Sequence, residues 1–140
     1  MIRPVVVPPS VHTHPKWLTS RLVEALHNES LHRFGGTAGI RDHDLLENIL
    51  AHPPRLFANA RDTTLFQLAA VYCTDIVRAR PFVDGNERTG LLTARAFLFL
   101  NDYRLTPDDT ETVSVIQALT DGQLEADILA LWLAQYSSQL

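Results

Sequence analysis

The segment Arg80-Pro81-Phe82-Val83-Asp84-Gly85-Asn86-Glu87-Arg88-Thr89-Gly90 runs directly into a stretch ending at Leu100 in which only Thr93 and Arg95 are polar. Pro81 lacks a backbone donor and breaks the chain after any preceding helix. Gly85 reaches backbone angles that other residues adopt only at a cost. Glu87 then opens a helix to about Leu100. A helix that is apolar almost all round is a buried one. The segment therefore predicts a loop feeding the central helix of an all-α domain.

The neighbouring elements follow by working outward. Upstream, Asp62 is a candidate cap for a helix to about Ala79, with Leu65, Leu68, Ala69, Tyr72 and Ile76 along one face. Earlier, Asp42 caps a short helix through about Ala51 whose stripe is Leu45, Leu46, Ile49 and Leu50. Pro53-Pro54 are expected to end it, leaving residues 53–61 as an exposed loop or flap. Leu18, Leu22, Ala25 and Leu26 give a first helix to about Arg33, stopped at Gly35-Gly36. Downstream, Thr106-Pro107-Asp108-Asp109 reads as a capping hydroxyl, a proline at the first helical position and acids in the first turn. That helix runs to about Thr120, and a last one covers about Leu124 to Tyr136. Strand signals are confined to the chain start and residues 53–61. The expected architecture is an all-α, single compact domain of about six helices around residues 87–100, with a short flap. It occupies residues 17–140 behind an extended arm, residues 1–16, that is rich in proline. His12-Thr13-His14 hints at metal, but no ligand cluster accompanies it, and an exposed arm is the preferred reading.

Composition narrows the function classes. A chain of 140 residues, 46% apolar and 20% charged, can bury one core and is neither disordered nor membranous. No apolar run approaches the roughly 20 residues of a membrane span. The proline-broken start does not fit a secretory signal, and Cys73 has no partner for an internal disulfide. A cytoplasmic protein without a membrane partner is expected. The net charge of −4 argues against nucleic acid as a partner.

The loop itself carries the chemistry. Free N–H groups at a helix start, together with the helix dipole, form an anion site. Gly85 lets a ligand approach the backbone, Asn86 holds the loop or donates an amide hydrogen bond, and Arg88 aims a guanidinium at the same place. Asp84 can hold a divalent metal that bridges phosphate oxygens, and Phe82 is expected to bury its ring and pin the loop. A plain Asp-Gly-Asn turn with Arg88 paired to Asp84 also fits these residues.

Phe82, Asp84, Gly85, Asn86 and Arg88 match the signature His-x-Phe-x-(Asp/Glu)-Gly-Asn-x-Arg, and so the chain resembles the Fic/Doc family. Phe34-Gly35-Gly36-Thr37-Ala38-Gly39-Ile40-Arg41-Asp42 and Leu100-Asn101-Asp102-Tyr103-Arg104-Leu105 extend the likeness, which covers roughly residues 18–136 and is nearest the short "death on curing" branch. The resemblance implies a transferase that uses ATP or another nucleotide, with Mg²⁺, to modify a protein hydroxyl. For this branch it implies a toxin–antitoxin module, γ-phosphate transfer to elongation factor Tu and arrest of translation. By the same resemblance, Gly85, Asn86, Glu87 and Arg88 surround the phosphates and Asp84 faces the metal. The flap at 53–61 aligns the target as an added strand, and the antitoxin tail binds as a helix in a groove.

Two positions depart from the pattern. The signature's catalytic histidine, its general base, falls at Arg80. An arginine stays protonated and cannot act as a base. His43 and His52 are the nearby histidines that could approach in space, and neither is expected to replace it. Glu87 stands where the resemblance implies Gly or Lys. It suits the helix dipole but repels a phosphate at the same end. It turns outward or pairs with Arg80, or else it alters the nucleotide pose; the first is preferred. Leu91 replaces the second arginine of AMP-transferring members, which favours the toxin branch. The expected protein is thus a toxin-type transferase fold inactive as written. The alternatives are a pseudo-enzyme that binds an antitoxin or nucleotide without catalysis, an AMP transferase, and an unrelated helical interaction domain with a chance loop match.

Overall fold

A computed structural model describes residues 14–140. In chain order it contains α1 (Ser20–Phe34), α2 (His43–Asn59), α3 (Leu65–Ala79), α4 (Asn86–Leu100), β1 (Tyr103–Leu105), α5 (Asp109–Thr120), α6 (Ala126–Gln135) and β2 (Ser137–Gln139). The arm expected over residues 1–16, with His12 and Thr13, falls outside the described residues except at its end.

The core is built on α3 and α4. On α3, Leu65, Phe66, Leu68, Ala69, Tyr72, Cys73 and Ile76 are all buried, and α4 contributes Leu91, Ala94, Phe97 and Leu98. The two helices are in close contact at Gly90, where an added Cβ would lie 2.9 Å from the Cys73 carbonyl oxygen. Tyr72 and Phe97 meet at 5.1 Å between ring centroids, and Trp17 stacks on Phe97 at 5.8 Å. α2 and α6 cover α3, while α1 and α5 lie against α4. The all-α expectation and the six helices are met. α4 is central but not wholly enclosed: Arg95 and Phe99 are exposed on its outer side.

Several boundaries differ from the sequence expectation for identifiable reasons. α2 does not stop at Pro53-Pro54 but continues through them to Asn59. A proline inside a helix costs about 3 kcal/mol. Against that cost, Leu46, Ile49, Leu50, Pro53 and Phe57 form one buried stripe at helical spacing, so packing overrides propensity. The flap expected at 53–61 is therefore mostly helix. Thr64 rather than Asp62 caps α3, through a capping box with Gln67. Asp108 rather than Thr106 caps α5, accepting the Glu111 N–H. The buried face of α1 is Val23, His27 and Ser30; Leu22 and Ala25 of the expected stripe are exposed.

The described strands lie outside residues 53–61, and the chain start, the other expected place, falls almost wholly outside the described residues. β1 and β2 pair antiparallel, with Arg104 opposite Ser138. Each has three residues, too short for alternation to register in the sequence. They tie the exit of α4 to the chain end.

Candidate functional site

The site is assembled where α3 ends and α4 begins. Arg80 closes α3 in the left-handed region, at φ 54° and ψ 60°. Gly85, at φ 73°, precedes α4, and no side chain caps that helix start. The backbone N–H groups of Asn86, Glu87 and Arg88 consequently lack intrahelical partners. The loop-to-helix junction that the Pro81–Gly90 pattern predicts is present.

Each sequence-singled residue now has a position. Asn86 is fully buried, and its side chain brackets one residue. Its Oδ1 accepts the Phe82 N–H at 3.1 Å, and its Nδ2 donates to the Phe82 carbonyl at 3.1 Å. Its amide thus clamps the loop backbone from inside the core. Phe82 is buried, as expected. Asp84 is exposed. Its Oδ1 accepts the Gly85 N–H at 2.9 Å, and its Oδ2 accepts the Thr37 N–H at 3.1 Å. Each carboxylate oxygen retains a further lone pair for a cation.

The charges are arranged in two separate groups. Arg80 Nη1 donates to Glu87 Oε1 at 2.9 Å; of the two preferred readings, an outward turn or a pair with Arg80, the pair is the one formed, and the Glu87 side chain is only 18% exposed. This pair reduces the repulsion that Glu87 would exert on an anion at the α4 start. Arg88 does not pair with Asp84. Its guanidinium lies 4.1 Å from the centre of the Phe34 ring, a cation–π arrangement that holds the charge beside the loop. Neither His43 nor His52 bonds to residues 80–88 among the described residues: His43 is exposed at the start of α2, and His52 Nδ1 pairs with Asp75 Oδ2 at 2.6 Å. The motif position where the resemblance implies a histidine is thus occupied by Arg80.

An extended segment does lie along the loop, but it is residues 35–42 rather than 53–61. Ile40 and Phe82 form an antiparallel bridge. The Val83 N–H donates to the Gly39 carbonyl at 3.0 Å, and the Arg41 N–H donates to the Pro81 carbonyl at 2.7 Å. Arg41 also donates from Nε to the Arg80 carbonyl and from Nη2 to the Ala79 carbonyl, both at 2.8 Å. It thereby satisfies the open C-terminal end of α3. Sequence reasoning gave no role to Arg41, Thr37 or His27. His27 carries a signal in retrospect, since it falls four residues after Val23 on the face that proves to be buried. The partners of Arg41 and Thr37 lie some forty residues away, and no local pattern announces them.

Two further cavities are present, the first beside the junction and the second farther along α4. One, of about 180 Å³, is bordered by Thr74, Val77, Arg80, Glu87, Leu119 and Leu124. The other, of about 380 Å³, is a groove between α1 and α4 lined by Leu26, Leu92, Arg95, Ala96, Phe99 and Arg104, among others. Among the described residues no helix is long and apolar enough to cross a membrane.

Comparison with known proteins converges on the same loop. A family model described as "Fic/DOC family" matches residues 17–98, which include the whole motif. The chain is 29% identical over 106 residues to "Protein kinase doc" of Escherichia phage P1, across 76% of this chain and 83% of that protein. It is 33% identical over 76 residues to "Toxin Doc" of Mycolicibacterium smegmatis, across 54% of this chain and 58% of that protein.

Proposed function

The chain belongs to the Fic/DOC family, and from that premise we propose that it is the toxin of a toxin–antitoxin pair, a nucleotide-binding transferase fold whose transfer step is disabled at Arg80. The observation that carries this reading is the α4 start. The α4 start after left-handed Gly85 has no side-chain cap; Asn86 is buried, so Glu87 and Arg88 are the first-turn residues that reach the surface, and Arg88 is held alongside by Phe34. Such a junction accepts the phosphates of a nucleotide. Asp84 is the residue that would hold Mg²⁺, through the lone pairs its two N–H bonds leave free. ATP bound there supplies the group to be transferred.

The chain's own residues then set the limits of the chemistry. Glu87 is drawn away by Arg80. Attack by a target hydroxyl needs a group that removes its proton, a contribution of about 10²–10⁴ in rate, and Arg80 cannot serve. Phosphoryl transfer is favoured over nucleotidyl transfer because Leu91 is buried in the core, so no cation stands there. The extended residues 35–41 offer backbone edges beside the loop, where a target segment can add as a strand. Elongation factor Tu is the target that the resemblance supplies.

The α1–α4 groove supports the antitoxin half of the proposal. Leu26 lines the groove from α1, and Phe99, 57% exposed, lines it from α4. Arg95 and Arg104 stand at the edge of the groove. An amphipathic antitoxin helix with acidic flanks fits such a surface. A non-catalytic role, holding antitoxin or nucleotide, is the second reading, and it is favoured by the formed Arg80–Glu87 pair.

The deciding experiment is Arg80→His expressed in growing cells, with mass spectrometry of translation factors. Growth arrest and a phosphoryl adduct support the disabled-toxin reading, and an adenylyl adduct redirects it to AMP transfer. A folded, nucleotide-binding Arg80→His protein without effect favours the non-catalytic role.

A further inference from the structure

Beneath the loop lies a histidine that the proposed chemistry does not use. His27 of α1 is 2% exposed. Its ring stacks on Phe82 with centroids 4.0 Å apart and planes 13° from parallel. Its Nε2 lies 2.8 Å from the Asp84 carbonyl oxygen. A carbonyl oxygen only accepts, so Nε2 carries a proton and donates it to this bond.

The direction of that bond matters for the site. The Asp84–Gly85 peptide is trans, so its C=O and N–H point to opposite sides of the chain. His27 draws the C=O inward. The Gly85 N–H is turned the other way, onto Asp84 Oδ1 at 2.9 Å, and it leads the free N–H groups of Asn86, Glu87 and Arg88. Gly85, at φ 73°, is the residue whose backbone freedom makes a turnover of this peptide inexpensive. A turned peptide would aim its carbonyl oxygen at the place where an anion's oxygen is to sit.

We propose that His27 is a positioning residue that locks the Asp84–Gly85 peptide with its N–H outward, keeping the loop preformed for a phosphate-type anion. The ligand's identity rests on the nucleotide reading, whereas the lock itself rests on the His27 geometry alone. Two bonds hold Phe82 from the Asn86 side, and His27 is the donor that holds the next part of the turn.

The test compares His27→Phe, which keeps a stacked ring and loses the donor, with His27→Gln, which keeps a donor of similar reach. Three quantities are read in each: exchange of the hydrogen-bonded amides of Gly85 and Thr89, which donate to Asp84 Oδ1 and to the Gly85 carbonyl; calorimetric affinity for ATP with Mg²⁺ and for pyrophosphate; and the unfolding temperature. His27→Phe is expected to unfold near the wild-type temperature, to exchange about tenfold faster at these amides and to bind about tenfold more weakly, a 1.4 kcal/mol effect. His27→Gln is expected to recover both. Wild-type exchange rates in His27→Phe overturn the proposal, as does binding that falls in both variants only in step with unfolding. A wild-type protein that binds neither ligand sinks the nucleotide reading, and the exchange rates alone then decide the lock. If His27→Phe does not fold, His27→Asn, whose amide is too short to reach the carbonyl, takes its place with the same outcomes.

Discussion

Replacing Asn86 with alanine separates two roles that a motif asparagine can have. Its side chain makes two hydrogen bonds to the backbone of Phe82, both at 3.1 Å. Both residues are buried, at 0% and 1% exposure, so water does not readily replace the lost partners. Each bond contributes about 1 kcal/mol net, and each buried backbone group left unpaired costs about 1 kcal/mol more. The better helix propensity of alanine returns about 0.5 kcal/mol. Asn86→Ala should therefore destabilise the fold by about 2–4 kcal/mol. For a chain of this length that corresponds to roughly 6–12 °C in unfolding temperature. The assay is thermal and urea unfolding followed by circular dichroism, with nucleotide affinity measured on the same samples well below the transition. An unfolding temperature within about 2 °C of wild type, with binding abolished, would refute the reasoning: Asn86 would then be a ligand donor and not the clamp on Phe82.

The other expectations concern the helices around the loop. Gly90→Ala places a Cβ 2.9 Å from the Cys73 carbonyl and 3.1 Å from Val77 Cγ2; it should cost about 1–3 kcal/mol in urea unfolding, and an unchanged midpoint would mean that α3 and α4 can part freely. Phe34→Ala removes the ring beneath Arg88 but is itself 59% exposed. Nucleotide affinity should weaken about two- to fivefold with little change in unfolding, and equal affinity would leave Arg88 needing no platform. Burial pushes the Tyr72 hydroxyl up to about 12, partly offset by the Leu18 N–H that it accepts. The folded-state value lies above the unfolded one, so this contribution is fully present below about pH 10 and is lost as pH rises toward 12. A pH series of urea midpoints that stays flat across that window would contradict it.

α2 and the motif loop differ in how far apart the residues that decide their conformation lie. Pro53 and Pro54 are strong local breakers, and by local rules they end the helix. They stay helical because Leu46, Ile49, Leu50, Pro53 and Phe57 share one buried stripe, and the stripe outweighs the breakers only once α3 and Trp17 are packed on it. In the loop, by contrast, Pro81, Phe82, Gly85 and Asn86 act on each other within five residues. Arg80 and Glu87, seven residues apart, are near enough for their pairing to be anticipated.

By itself, then, the sequence determined the helical class, the loop-to-helix junction at Gly85, the family membership and the absence of a base at position 80. Each of these rests on residue type or short-range spacing. Tertiary structure alone decided that residues 35–42 rather than 53–61 lie along the loop, and that Arg41 closes the end of α3. It also decided that Thr37 meets Asp84, that His27 stands under Phe82, and that Leu26 faces an open groove. The physical reason is range. These contacts join positions roughly forty to seventy residues apart, and no periodicity or local propensity encodes which distant backbone group a side chain will satisfy.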